Sequence, residues 1–189
     1  MESWIGSRIN NAHVVKVVEP ARKKSCLYYL TDYIDGLTLT QWIKENPRPP
    51  VQEVVFLVDQ IAKGLRAFHR RETLHQDIKP DNIVIDRNGI AKIIDFGSCY
   101  VAGLAEIDSP IERDVALGTA SYSAPEYSVK NKASYPSDIF SLAVISYEML
   151  TGELPFSGKL ENCRTRKDFL NTQYTPTYKL NPLVPVWID

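Results

Sequence analysis

Apolar residues recur at helical spacing in two long stretches of the chain. Between Val51 and His69 they form a single stripe, which predicts an amphipathic helix with one face on a core. The stripe consists of Val51, Val54, Val55, Val58, Ile61, Ala62, Leu65 and Phe68. Between Ser137 and Thr151 apolar residues cover much of the helical surface, so this second helix is predicted to be central. Gly152 suits its C-terminal end.

Shorter β-branched and aromatic stretches predict strands. Residues 14–18 and 27–33 favour two strands near the start of the chain. Residues 83–85 and 90–94 favour a hairpin, because Asn88-Gly89 between them tolerates the positive φ angles of a tight turn.

The remaining segments are shorter or less regular. Residues 3–9 and 40–45 favour short helices. Residues 98–123 show no steady period and are predicted to be a long loop, which in a compact domain usually serves a function. The tail from Ser157, with three prolines, is predicted to be irregular.

Composition and charge narrow the class of protein. The chain has 189 residues, enough for one domain with a core, and a net charge of −1, which implies no nucleic acid or other polyanion as partner. Three widely spaced cysteines form no disulfide framework or zinc motif, so a reducing, cytoplasmic location is expected. No segment resembles a secretory signal or a membrane span.

The candidate chemistry lies in residues 74–82, Leu-His-Gln-Asp-Ile-Lys-Pro-Asp-Asn, and in Asp95-Phe96-Gly97. An acid, a lysine and an amide stand at fixed offsets, and the predicted hairpin brings a second acid beside the amide. Phosphoryl transfer needs a carboxylate that orients a hydroxyl, a cation near the γ-phosphate and oxygen ligands for Mg²⁺. The alternative is that two unrelated surface acids flank an ordinary hairpin.

These motifs resemble the catalytic loop and metal-binding motif of eukaryotic-type protein kinases, and Lys79 is similar to the serine/threonine branch. The resemblance implies that Asp77 accepts the substrate hydroxyl proton and that Lys79 neutralises charge on the γ-phosphate. It also implies that Asn82 and Asp95 hold Mg²⁺, and that Thr119 contacts Asp77 and Lys79. ATP and a protein substrate with serine or threonine are the implied ligands.

Two further segments support the resemblance and extend it to about Phe156. Residues 118–126 look like the end of an activation segment, and residues 137–152 look like the central helix that follows it. The implied fold is α+β and mostly helical, a kinase-like C-terminal lobe with a partial N-terminal lobe. Among kinases, the residues of these segments resemble those of bacterial serine/threonine kinases, including the kinases that are fused to a metal-dependent protein phosphatase.

The same alignment implies a nucleotide site. Thr31 falls at the gatekeeper position, the carbonyl of Asp32 and the N–H of Ile34 would meet the adenine edge, and Val84 would form its floor. The alternative is that this segment is simply the end of a strand and the start of a turn, without a nucleotide contact. For Asp138 two roles stay open, binding of catalytic-loop N–H groups or plain capping of its helix.

The chain also departs from the family pattern. No Gly-x-Gly-x-x-Gly segment is present, no lysine stands in a strand before the first helix, and Glu2 falls where the family has its helix C glutamate. Residues 1–189 are therefore expected to form a single, incomplete kinase domain, with 1–34 as a remnant of the N-lobe and hinge and 35–189 as the C-lobe. Two hypotheses follow. The first is a serine/threonine kinase whose missing segments or phosphatase domain belong to a longer gene product, so that this chain alone is inactive. The second is a non-catalytic binding module derived from a kinase.

Overall fold

A computed structural model describes residues 2–18, 26, 28–101, 121–129, 134–156, 159–163 and 165–189. The helices are α1 (Glu2–Arg8), α2 (Leu39–Glu45), α3 (Val51–His69), α4 (Pro125–Val129), α5 (Tyr135–Thr151), α6 (Arg166–Leu170) and α7 (Thr177–Leu180). The strands are β1 (Val17–Val18), β2 (Leu30–Thr31), β3 (Gly36–Thr38), β4 (Thr73–Leu74), β5 (Ile83–Asp86), β6 (Ala91–Ile93) and β7 (Tyr100–Val101). Single 3₁₀ turns cover Pro80–Asn82, Lys159–Asn162 and Val186–Ile188.

The core lies where α3 meets α5. The α3 stripe buries Leu65 and Phe68 completely, and α5 contributes the buried Ile145 and Met149. At the start of α5 the side chains of Ser134 and Ser137 satisfy each other's backbone N–H groups, and at its end Gly152 adopts the left-handed conformation with φ 75°. Both long helices and the glycine stop are therefore confirmed.

The central sheet is a three-stranded antiparallel sheet in the order β3-β5-β6, in which Val84 lies between Thr38 and Lys92. The buried side chain of Gln60 fixes this sheet to α3. Its Nε2 donates to the carbonyl of Gly89 at 3.1 Å, and its Oε1 accepts the N–H of Ala91 at 3.0 Å. The predicted hairpin is confirmed, with Gly89 at φ 76° in its turn.

Helix α1 packs against the rest of the protein through a glycine. A Cβ built on Gly6 would lie 3.2 Å from Cε2 of Phe96 and would overlap the side chain of Val17. Gly6 therefore permits a close approach that a larger residue would prevent.

Some local predictions were too long or wrong. In residues 14–18 only Val17–Val18 is a strand, with Val14 in a single bridge to Ile93, and among the described residues of 27–33 only Leu30–Thr31 is. The prediction of an irregular tail was wrong for residues 166–170 and 177–180, where α6 and α7 form.

The tail is ordered by side-chain caps. Thr165 and Asp168 form a capping box at α6. Near α7, Oδ1 of Asp189 accepts hydrogen bonds from the Tyr174 hydroxyl at 2.6 Å and from the Thr177 N–H and hydroxyl at 2.7 Å each.

Candidate active site

Two of the predicted site residues, Lys79 and Asn82, converge on the carboxylate of a third, Asp77. The ammonium of Lys79 lies 2.9 Å from Oδ2 of Asp77, and Nδ2 of Asn82 donates to the same oxygen at 3.0 Å and to the Asp77 carbonyl at 2.8 Å. Asp77 and Asn82 are buried, whereas the Lys79 side chain keeps 24% of its surface exposed. The loop therefore orients the Asp77 carboxylate through two neighbours of its own chain segment.

Helix α5 supports the loop through one buried carboxylate. The carboxylate of Asp138, 1% exposed, accepts the N–H of His75 at 3.0 Å, the N–H of Gln76 at 2.9 Å and contacts Nε2 of His69 at 2.8 Å. Because Ser134 caps α5, Asp138 takes the first of its two possible roles, that of binding loop N–H groups. This contact stabilises Gln76 at φ 67°, which is unfavourable for a non-glycine residue.

An aromatic stack connects the loop to the residue before Gly97. Phe68 of α3 contacts the His75 ring edge-on, with centroids 5.2 Å apart, and lies 5.8 Å from the ring of Phe96. All three side chains are buried. Burial lowers the pKa of His75 although the Asp138 and Asp77 carboxylates oppose this shift, so the ring is neutral near pH 7.

The hairpin returns the chain to the loop as the sequence predicts. The N–H of Ile94 donates to the carbonyl of Asn82 at 3.0 Å, which brings Asp95 next to Asn82, and Oδ1 of Asp95 accepts the N–H of Gly97 at 2.8 Å. Because Asn82 uses its Nδ2 on Asp77, its Oδ1 is left for a ligand. A carboxylate and an amide oxygen are ligands that Mg²⁺ accepts, so this pair fits the ion.

A family model for the protein kinase domain matches residues 1–187, which contain this loop, its hairpin and the helix that supports it. The chain belongs to the protein kinase domain family. Its α+β fold, with helices and small antiparallel sheets, agrees with the kinase-like fold predicted from the motifs.

Relatives of this kinase domain include bacterial serine/threonine-protein kinases. The chain is 35% identical to PknL of Mycobacterium tuberculosis over 158 residues, 84% of this chain and 39% of PknL. It is 34% identical to PknA of Corynebacterium glutamicum, over 83% of this chain and 34% of PknA. It is 28% identical to PrkC of Bacillus subtilis, over 100% of this chain and 28% of PrkC. The chain thus spans less than two fifths of the length of each relative.

The predicted nucleotide residues lie in two places. Asp32 and Ile34 line a cavity of about 310 Å³ whose opposite wall is the hairpin turn at Asp86–Asn88. Thr31 and Val84 do not line this cavity; Thr31 is exposed on β2, and Val84 is buried in β5. Of the four predicted adenine contacts, two thus line this cavity and two do not.

Two predicted features fall outside what the structure describes. Thr119 belongs to residues 102–120, which are not among the described residues, so its predicted contact with Asp77 and Lys79 has no structural counterpart here. The side chain of Glu2 is likewise not described, although its backbone begins α1.

Sequence reasoning missed a polar cluster beside the loop. The Thr40 hydroxyl donates to Oδ1 of Asp81 at 2.6 Å, and the Tyr122 hydroxyl donates to Oε2 of Glu148 at 2.7 Å. Burial raises the pKa of Glu148, which the hydrogen bond from Tyr122 only partly offsets, while the charge of Asp81 adds to the rise. No local motif signals these pairs, because their members are 41 and 26 residues apart.

Glu126 also has a partner that the sequence did not suggest. Its Oε1 accepts the hydroxyl of Ser137 at 2.6 Å. The contact ties α4 to the first turn of α5, the helix that supports the catalytic loop.

Among the helices that the structure describes, none is long and apolar enough to cross a membrane.

Proposed function

We propose that the protein transfers the γ-phosphoryl group of ATP to serine or threonine hydroxyls of protein substrates. The observation that carries this proposal is the convergence of Lys79 and Asn82 on Oδ2 of Asp77, at 2.9 and 3.0 Å. A carboxylate held in this way accepts a hydroxyl hydrogen bond in one orientation, which is what a positioned general base requires.

Each residue has a separate role in this proposal. Asp77 orients the substrate hydroxyl and takes its proton as the oxygen attacks phosphorus. Lys79, partly exposed beside that carboxylate, balances negative charge on the transferred group. Thr119 is proposed, from the family pattern alone, to contact both residues and favour serine or threonine over tyrosine.

Asn82 and Asp95 are the residues that would hold Mg²⁺ through their side-chain oxygens. Bound there, the ion would neutralise charge on the nucleotide phosphates. Among the described residues no group of three or more His, Cys, Asp or Glu side chains is placed to hold a metal, so phosphate oxygens and water would complete the coordination. For adenine we propose the edge formed by Thr31, Asp32 and Ile34, with Val84 below it.

Residues 1–189 contain no Gly-rich phosphate loop and no lysine in a strand before α1. We propose that these residues by themselves bind ATP weakly and transfer little phosphate, because phosphates left in water gain less from each charge contact than in a closed site. The same absence favours the second candidate function, a non-catalytic module that binds proteins through its substrate-facing surface.

The division of residues 1–189 that we propose is based on the sequence pattern of the kinase family. Residues 1–34 would be the remnant of the N-lobe and hinge, residues 35–189 the C-lobe, and a Gly-rich segment or a phosphatase domain would belong to a longer gene product. A cytoplasmic location is supported by the three free cysteines, Cys26, Cys99 and Cys163, which form no disulfide.

The test is transfer of radiolabelled phosphate from ATP to a generic protein substrate, by residues 1–189 and by a form extended with a Gly-rich segment. We expect transfer only by the extended form and its loss in the extended Asp77→Asn variant, with nucleotide affinity unchanged. Turnover of Asp77→Asn equal to that of the parent would contradict the catalytic assignment, and no transfer by any form would favour the binding module.

A further inference from the structure

A second concave surface, here called the basic groove, lies between α1 and the C-terminal half of α3. It has a volume of about 350 Å³, and its cationic lining residues are Arg8, Lys63, Arg66, Arg70 and Arg71. Asn10 and Asn11 supply further polar groups, and no residue of the predicted catalytic or nucleotide set takes part.

The groove is positively charged, whereas the chain as a whole is nearly neutral. The whole protein has a net charge of −1, yet the groove lining contains five cations and no acid. Among the described residues, the only ion pair that involves a groove cation joins Lys63 to Asp59 at 2.6 Å, and both side chains are more than half exposed. Glu72, next to Arg71, is the other acid nearby in sequence.

Cations at a helix C-terminus also have a structural explanation. Arg66 lies in the last turn of α3, and Arg70 follows it as the C-terminal cap residue, where positive charge compensates the helix dipole. The same explanation applies to Arg8 in the last turn of α1, whose guanidinium lies 4.0 Å from the centroid of the Trp4 ring. It does not explain why the ends of two different helices line the same concavity. Two separate elements thus direct guanidinium groups into one concavity.

The chemistry of the lining selects the ligand. Four of the five cations are arginines, whose planar groups bind phosphate through paired hydrogen bonds, whereas a lysine acts as a point charge. The concave shape fits a discrete group with residues on either side of it better than a flat membrane surface. From these features we infer that the basic groove binds a phosphorylated serine or threonine in a protein segment.

Binding of a short alanine-rich peptide with one central phosphoserine would test this inference, measured by fluorescence anisotropy without ATP. We expect the phosphopeptide to bind at least about tenfold more tightly than its serine counterpart, and less tightly at high salt. Inorganic phosphate and phosphatidylserine vesicles are the two competing probes, and both should bind much more weakly than the peptide.

A matched pair of variants locates the site. Arg66→Gln/Arg70→Gln/Arg71→Gln removes three groove charges, and Lys44→Gln/Lys167→Gln/Lys179→Gln removes three charges from exposed positions elsewhere, so both have the same net charge. We expect only the groove variant to lose phosphopeptide binding, by about tenfold or more. Arg70→Lys/Arg71→Lys, which keeps the charge and the fold, should show an intermediate loss.

Equal losses in the two triple variants would overturn the inference, as would equal competition by inorganic phosphate or tighter binding to vesicles. The result is independent of the proposed catalysis. Because the groove does not include Asp77, the Asp77→Asn variant should bind the phosphopeptide as the parent does, whether or not the parent transfers phosphate.

Discussion

The carboxylate of Asp138 accepts the main-chain N–H of Gln76 at 2.9 Å, across 62 residues of sequence. Gln76 precedes the proposed base, and its φ of 67° places the backbone in a region that non-glycine residues rarely adopt. A buried carboxylate on α5 therefore determines the path of the loop that presents Asp77.

Replacement of Asp138 by asparagine should cost stability and order in the loop. The amide keeps one acceptor oxygen but replaces the other with a donor, so either the His75 or the Gln76 N–H loses its acceptor. We expect a loss of about 3 kcal/mol in the free energy of unfolding. Urea denaturation measures the loss, and hydrogen exchange at the Gln76 amide measures the order. Ser134→Ala, which removes only the α5 cap, should cost about 1 kcal/mol and leave that amide protected. Equal exchange in both variants would contradict the role of Asp138.

Substitutions of Asn82 and Asp95 should both weaken Mg-ATP binding but should differ in their effect on stability. In an active, extended form of the kinase, Asp95→Asn should weaken Mg-ATP binding and transfer together, because it removes the negative charge of a proposed metal ligand. Asn82→Ala should reduce both as well, and should also lower stability by about 1–3 kcal/mol, because Nδ2 of Asn82 is bonded to Asp77. Calorimetric titration with Mg-ATP and thermal unfolding of both variants check this difference. An Asn82→Ala variant as stable as Asp95→Asn would be evidence against the Asn82–Asp77 contact.

Gln60→Ala should destabilise the fold by about 2–3 kcal/mol. The substitution leaves the buried carbonyl of Gly89 and the N–H of Ala91 without their side-chain partners. Gln52, exposed at the start of the same helix, supplies the control, since Gln52→Ala should change stability by less than about 0.5 kcal/mol. Chemical denaturation of both variants measures the difference, and similar midpoints would show that the Gln60 bridge contributes little.

Gly6→Ala should be destabilising even though alanine favours helices. The added methyl group would overlap Val17 and crowd Phe96, so we expect a loss of about 1–3 kcal/mol. The double variant Gly6→Ala/Val17→Ala removes the overlap and should be more stable than the sum of the two single changes predicts. Thermal unfolding of all four proteins completes the cycle, and strict additivity would contradict the close approach of α1.

The cluster at Asp189 should make stability depend on pH at the acid end. Burial alone would raise the pKa of Asp189, but the hydrogen bonds from Tyr174 and Thr177 outweigh it and hold the pKa below the ordinary value of 3.8. The stabilisation from Asp189 is therefore fully present above pH 3.8 and is lost as the pH falls through the folded-state pKa. Asp189→Asn should reduce this acid dependence. Thermal unfolding between pH 2 and pH 6 compares this variant with the parent, and parallel curves would contradict the contribution of Asp189.

Features that depend on local sequence could be predicted. The apolar stripe of α3 defines a helix whose bounds match the structure, and Asn88-Gly89 defines the hairpin turn. The resemblance to the kinase catalytic loop was sufficient to predict that Asp77, Lys79 and Asn82 lie together, because all three belong to one short segment.

Features that depend on contacts between residues distant in sequence could not be predicted. Among the described residues, β1 and β2 pair at two positions, Val17 with Thr31 and Val18 with Leu30, and residue preferences alone do not indicate which positions pair. The Tyr122–Glu148 and Thr40–Asp81 contacts have no local signal. By contrast, Thr165-x-x-Asp168 is a capping-box pattern that could have revealed α6.

The distance in sequence between Asp138 and the loop has a consequence for synthesis on the ribosome. A nascent chain that ends before residue 138 contains Asp77, Lys79, Asn82 and Asp95 but lacks the carboxylate that binds the N–H groups of His75 and Gln76. The catalytic loop therefore acquires its final conformation only after α5 has emerged and docked on α3. During translation the proposed active site is complete in sequence well before it is complete in structure.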